Sequence, residues 1–126
     1  MNRQYAVRWL GLAAFAVLLS VISSWSAQNQ EPTAQVVSVS ASRYKFTPGH
    51  IEVFQGDLVK IQLRTEDIAH SLTIDAYRIA KRVNPGSPIT FEFRADKAGT
   101  FPFYCNLQIE DGCRQMRGEL IVKPRP

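Results

Sequence analysis

The stretch that decides the fold is Val59-Lys60-Ile61-Gln62-Leu63-Arg64, in which apolar and polar residues alternate strictly. Successive side chains of a β-strand point to opposite faces, so this pattern predicts a half-buried strand. Residues 71–74 and 91–94 repeat the alternation. Further β-rich runs occupy residues 36–39, 44–46, 51–54, 98–100 and 118–122.

Turn signals separate these runs, and no segment after residue 34 has the pattern of an amphipathic helix. Pro48-Gly49, Gln55-Gly56-Asp57 and the longer stretch at residues 84–88 are typical turns. Seven or more short strands with such spacing predict an all-β antiparallel domain, a sandwich or a barrel. The pattern does not fix how the strands connect.

Length and charge exclude several classes of protein. The 126 residues allow one small domain, which excludes a TIM barrel and a two-domain enzyme. The chain has 15 basic and 11 acidic residues, but Arg3 and Arg8 precede the folded part. The remainder carries 13 basic residues, scattered along the chain, which argues against binding to nucleic acid.

The first 27 residues are predicted to direct export. Arg3 and Arg8 precede the apolar run WLGLAAFAVLLSVI at residues 9–22. This is the charge pattern of a segment that inserts into the membrane with its N-terminus in the cytoplasm. Small residues at Ser24 and Ser26 would suit a cleaved signal peptide, whereas Trp9 and Trp25 would suit a retained anchor. We expect an extracytoplasmic, periplasmic domain attached to the cytoplasmic membrane. Residues 28–34 are predicted as a linker and residues 35–126 as the domain.

Soft metal-ligating residues are few and three of them cluster. Cys105, Cys113 and Met116 fall within one segment between two predicted strands. With an imidazole, such a sulfur-rich set favours copper over magnesium or calcium. The competing interpretation is a Cys105–Cys113 disulfide, because export brings the two thiols into an oxidising compartment. The residues alone leave both open.

Three stretches carry a resemblance to a known family. They are Glu66-Asp67-Ile68-Ala69-His70-Ser71, the segment ADKAGTFPFYC at residues 95–105, and MRGELIV at residues 116–122. Residues 44–122 resemble the cupredoxin domain that carries the dinuclear copper-A centre in cytochrome c oxidase subunit II and nitrous oxide reductase. The resemblance implies a Greek-key β-sandwich with a site at one end, here following one N-terminal apolar helix. It also implies that His70, Cys105 and Met116 occupy ligand positions.

The ligand loop departs from the copper-A pattern at two positions. Ile109 stands where the family has its second cysteine, and Cys113 stands where it has its second histidine. Because isoleucine cannot ligate a metal, we reject a dinuclear centre and predict one copper ion bound by His70, Cys105, Cys113 and Met116. The resemblance also places the two cysteine positions close together, so a disulfide remains the alternative.

Three functions follow from these features. The first is a copper protein that passes electrons or copper to a protein partner, with Phe103 and Ile109 keeping water from the site. The second is a metal-free binding or assembly module whose loop is cross-linked by a Cys105–Cys113 disulfide. The third, a reactive cysteine pair, has less support because the spacing is not Cys-x-x-Cys. Glu110 and Asp111 are expected to be solvated, and no catalytic motif is present, so we predict that the protein is not an enzyme.

Overall fold

A computed structural model describes residues 34–126 of the chain. These residues form nine β-strands and two short 3₁₀ turns, at Asp75–Tyr77 and Asp111–Gln115. The strands are β1 (Ala34–Ser42), β2 (Lys45–Thr47), β3 (His50–Phe54), β4 (Leu58–Thr65), β5 (His70–Ile74), β6 (Ile79–Val83), β7 (Ile89–Arg94), β8 (Gly99–Tyr104) and β9 (Arg117–Lys123). The prediction of a mainly β domain is therefore confirmed.

The strands form two sheets, with the orders β2-β1-β4-β7 and β3-β9-β8-β5-β6. Most neighbours are antiparallel, but β1 and β4 pair in parallel, and so do β3 and β9. The prediction of an antiparallel domain was wrong for these two pairs. Local alternation cannot distinguish the two pairings, because the direction of a neighbouring strand depends on a long-range connection.

One apolar core lies between the sheets. The alternation in β4 buries Val59, Ile61 and Leu63, as predicted from the sequence. Phe46 of β2 and Phe103 of β8 belong to different sheets, yet their ring centroids lie 5.2 Å apart. Side chains from both sheets thus share one core, which is the arrangement of a β-sandwich.

The sequence analysis missed β6. Its buried residues, Ile79 and Val83, stand at its two ends, and the three residues between them are exposed. This pattern lacks the alternation that signals a strand. The strand nevertheless pairs along all of β5, from Ile74 opposite Ile79 to His70 opposite Val83. β5 therefore lies inside its sheet, between β6 and β8, and every one of its residues is buried.

The predicted export segment at residues 1–27 lies outside the described residues, and so does the linker apart from Ala34, which begins β1. Within residues 34–126, no helix has the length and apolar character needed to span a membrane.

Candidate metal centre

The sequence-predicted ligands meet at one end of the five-stranded sheet. His70 is the first residue of β5, Cys105 directly follows β8, and Met116 directly precedes β9. The antiparallel pairing of β8 with both β5 and β9 brings these three strand ends to the same edge. Cys113 lies in the 3₁₀ turn of the loop that joins β8 to β9.

His70 is fully buried and uses only one of its ring nitrogens. Its Nε2 lies 2.7 Å from Oδ1 of Asp67, whereas its buried Nδ1 has no hydrogen-bond partner among the described residues. An ionised carboxylate only accepts hydrogen bonds, so the bonded Nε2 carries the proton. In the neutral ring, Nδ1 then keeps a lone pair that is free to bind a metal ion. Metal-binding histidines commonly have such a carboxylate behind the ring.

Asp67 is itself held in place by the backbone around it. Its Oδ2 accepts the amide of Arg43 at 2.7 Å, and its Oδ1 accepts the amide of Ile68 at 2.7 Å. Burial by itself raises the pKa of Asp67, but these amides and His70 outweigh it, so the pKa lies well below the usual value of an aspartate. The carboxylate is therefore ionised and fixed behind the imidazole.

Cys105 and Cys113 form a disulfide, with their Cα atoms 5.3 Å apart. Both are almost completely buried, at 2% and 4% exposure. The amide of Ser71, the residue after His70, points to Sγ of Cys105 at 3.5 Å. The Ser71 hydroxyl also binds Asn106, donating to Oδ1 at 2.6 Å and accepting from the backbone amide at 2.8 Å. These contacts join the start of β5 to the start of the loop.

Met116 closes the loop. Its side chain is fully buried in the core. Its carbonyl accepts the amide of Cys105 at 3.3 Å, and its amide donates to the carbonyl of Cys113 at 3.1 Å. Both cysteines are thus hydrogen-bonded to Met116 through the backbone, and the two ends of the loop lie next to each other.

The loop surface differs from the prediction in two residues. Phe103 is fully buried as expected, but Ile109 is 55% exposed and does not shield the site from water. Glu110 was expected to be solvated, yet it forms an ion pair with Arg43, with Nη2 and Oε1 3.0 Å apart. This bond, together with the Tyr44 hydroxyl, lowers the pKa of Glu110 below its usual value.

The donor chemistry fits a soft metal ion only when the cysteines are reduced. A disulfide sulfur has no thiolate charge to offer, and no group of three or more His, Cys, Asp or Glu side chains within residues 34–126 is placed to hold a metal. Reduction would provide two thiolates next to the thioether of Met116. The free Nδ1 of His70 would complete a set that suits copper.

The sequence analysis missed the residues that support this site. Asp67 precedes His70 by three residues, and an acidic residue near a candidate histidine ligand is a usable signal. Arg43 and Tyr44 carried no signal, because they approach the loop from a distant part of the chain. Asn106 follows Cys105 directly, but its partner Ser71 is 35 positions earlier, so its role was not visible either.

The chain belongs to the cupredoxin-like domain family, whose model matches residues 12–122. The cytochrome c oxidase subunit 2 of Thermus thermophilus is 27% identical over 92 residues, which cover 73% of this chain and 68% of that protein. The predicted resemblance to subunit II of cytochrome c oxidase is therefore confirmed.

Solved structures share the fold. A heme-copper terminal oxidase dimer matches with a TM-score of 0.64 and 20% identity, covering 71% of this chain and 65% of that one. Auracyanin A, a blue copper protein from Chloroflexus aurantiacus, matches at 0.61 with 14% identity, covering 71% and 99%. Subunit II of cytochrome c oxidase, captured in a mixed disulfide with a thioredoxin-like protein, matches at 0.60 with 14% identity, covering 71% and 82%.

Proposed function

We propose that this protein is an extracytoplasmic cupredoxin that binds one copper ion in its reduced form, for electron transfer or for copper handling. The observation that carries the proposal is His70, a buried imidazole whose Nε2 is fixed by Asp67 and whose Nδ1 has no partner in the described part of the chain. Leaving a buried polar atom unpaired costs free energy, about 1–3 kcal/mol. A metal ion at Nδ1 would remove that cost.

The ligands in this proposal are His70, Cys105, Cys113 and Met116. Copper would supply one-electron exchange between Cu(I) and Cu(II), or would itself be the cargo. Asp67 would orient the imidazole, and the Ser71 amide would donate to the Cys105 thiolate. The burial of all four ligands would keep water from the metal. Two thiolates favour the soft Cu(I) ion.

Copper binding would require that the Cys105–Cys113 disulfide first be opened. An external dithiol can do this: one of its thiolates attacks a sulfur and releases the other as a thiolate. Its second thiolate then resolves the mixed disulfide, so that two electrons and two protons pass to the cysteine pair. The related subunit II found in a mixed disulfide with a thioredoxin-like protein supports a partner of that class.

The disulfide favours a second candidate, a metal-free binding or assembly module. In that case the Cys105–Cys113 disulfide would cross-link the loop permanently, and Nδ1 of His70 would not bind a metal. Under both candidates we propose that the protein is not an enzyme, that it is exported, and that residues 1–27 attach it to the membrane if they are retained.

Native mass spectrometry of the full-length protein separates the two candidates. We expect one added copper after reduction and none in the oxidised protein. His70→Gln and Cys105→Ser should lose the copper, whereas His50→Gln should retain it, because the exposed His50 pairs with Glu119 and is not one of the proposed ligands. A reduced wild-type protein without copper would favour the metal-free module.

A further inference from the structure

The turn between β1 and β2 binds the loop that contains Cys113. The side chain of Arg43 forms a bidentate pair with Glu110: Nε lies 3.1 Å from Oε2, and Nη2 lies 3.0 Å from Oε1. The hydroxyl of Tyr44 donates a hydrogen bond to the same carboxylate. Glu110 is three residues before Cys113, so the turn holds the loop directly ahead of that cysteine.

The ring of Tyr44 makes a second contact with the loop. A Cβ atom at Gly112 would lie 2.3 Å from Cδ1 of Tyr44, which is too close for any side chain. Only glycine allows the ring to lie against the backbone at this point. The turn therefore contacts the loop on both sides of Asp111.

The same turn also contacts the support of the histidine. The backbone amide of Arg43 donates to Oδ2 of Asp67, whose Oδ1 binds Nε2 of His70. One turn thus contacts both the loop that carries the second cysteine and the carboxylate that orients the imidazole.

We propose that Arg43 and Tyr44 are positioning residues that hold Cys113 beside Cys105. In the oxidised protein they keep the loop closed over the buried disulfide and slow its attack by an external dithiol. In the reduced protein they keep the two thiolates together and reduce the ordering needed to bind copper. The second effect rests on the function proposed above, whereas the first does not. An isolated exposed ion pair would have little effect, but this pair is bidentate and shares its carboxylate with the Tyr44 hydroxyl.

Three substitutions isolate the contact. Arg43→Gln removes the guanidinium but keeps the backbone amide that binds Asp67. Tyr44→Phe removes the hydroxyl but keeps the ring against Gly112. Glu110→Gln removes the charge from the other side. Arg82→Gln is the matched control, because Arg82 is an exposed strand arginine whose side chain bonds to Asn84 and to no residue of the Cys113 loop.

The first readout is the rate constant at which dithiothreitol opens the disulfide in the metal-free, full-length protein. We expect about three- to tenfold faster opening in Arg43→Gln and Glu110→Gln, with no added effect when the two are combined. Arg82→Gln should match the wild type. Salt should accelerate opening in the wild type and have little effect in the two variants.

Two results would overturn the proposal. One is a rate within twofold of the wild type in both Arg43→Gln and Glu110→Gln. The other is an acceleration that Arg82→Gln shares and that follows a lower unfolding midpoint, since this would indicate general destabilisation.

The second readout is the Cu(I) affinity of the reduced proteins, measured by competition with bicinchoninate. We expect a loss of about three- to tenfold in Arg43→Gln and a smaller loss in Arg43→Lys, which keeps the charge. An unchanged Cu(I) affinity in Arg43→Gln would overturn the claim that the turn helps the reduced protein to bind copper. A wild type that binds no copper would instead refute the proposed function, and the rate of disulfide opening would still decide the positioning role.

Discussion

Reduction of the Cys105–Cys113 disulfide should lower the free energy of unfolding by a calculable amount. The bond joins residues that are eight positions apart and so closes a loop of about nine residues. The chain-entropy model then gives about 2.5 kcal/mol at 25 °C. For a domain of this size, that difference corresponds to a change of about 10–20 °C in the unfolding midpoint.

The measurement compares the oxidised and the reduced forms of one protein by urea unfolding, with a copper chelator present throughout. The midpoint should fall on reduction, and the slope of free energy against urea should change little. Replacing both Cys105 and Cys113 with alanine gives the control: its stability should be near that of the reduced protein and should not respond to reductant.

The variant Cys113→Ser should be less stable than the reduced wild type. Cys113 is 4% exposed, so a serine hydroxyl there would be buried without an evident partner, at a further cost of about 1–3 kcal/mol.

The prediction for the disulfide itself is refuted by one result. That result is an equal urea midpoint for the oxidised and the reduced wild type, in samples whose masses differ by two hydrogens.

Three other substitutions test the packing and the support of the site. Gly118→Ala places a Cβ 2.2 Å from Cζ of Phe103 and should destabilise the protein by about 1–3 kcal/mol in urea unfolding. Gly49→Ala, with its nearest atom at 3.5 Å, is the control. Thr73→Val removes a buried hydroxyl that has no partner within residues 34–126 and should raise the free energy of unfolding by about 1 kcal/mol, whereas a loss of stability would mean that the hydroxyl is paired. Asp67→Asn should lower the Cu(I) affinity of the reduced protein by about tenfold or more, and an unchanged affinity would contradict a supporting role.

The part of the fold that the sequence predicts is the part that local periodicity controls. The alternation in β4 identifies its buried face, because one face of that strand contacts the core and the other contacts solvent. β6 has no such alternation, because it is stabilised by pairing with β5 rather than by a buried face of its own. The parallel pairs were missed for a different reason, because each joins segments that are far apart in the chain.

As with the fold, the sequence predicted the local features of the site but not its long-range contacts. Residue type and clustering were sufficient to select the sulfur residues of the loop as candidates, and the family resemblance added His70. They were not sufficient to reveal that Glu110 is paired with a basic side chain, because its partner Arg43 is 67 positions away. Charge pairs between residues so far apart in sequence depend on the folded topology, so no local sequence pattern predicts them.

Cysteine at position 113 connects the two interpretations of the site. A histidine there would leave Cys105 without a partner, and the oxidation state of the surroundings would not block a metal. With Cys113, the same two sulfurs serve either the disulfide or the copper ion of the proposed function, and each state excludes the other. If the four side chains bind copper as proposed, occupancy must then depend on the supply of reducing equivalents as well as on the supply of copper. In the disulfide form, Nδ1 of His70 has no hydrogen-bond partner among residues 34–126, so oxidation would remove the sulfur ligands while the imidazole nitrogen stayed available to a metal.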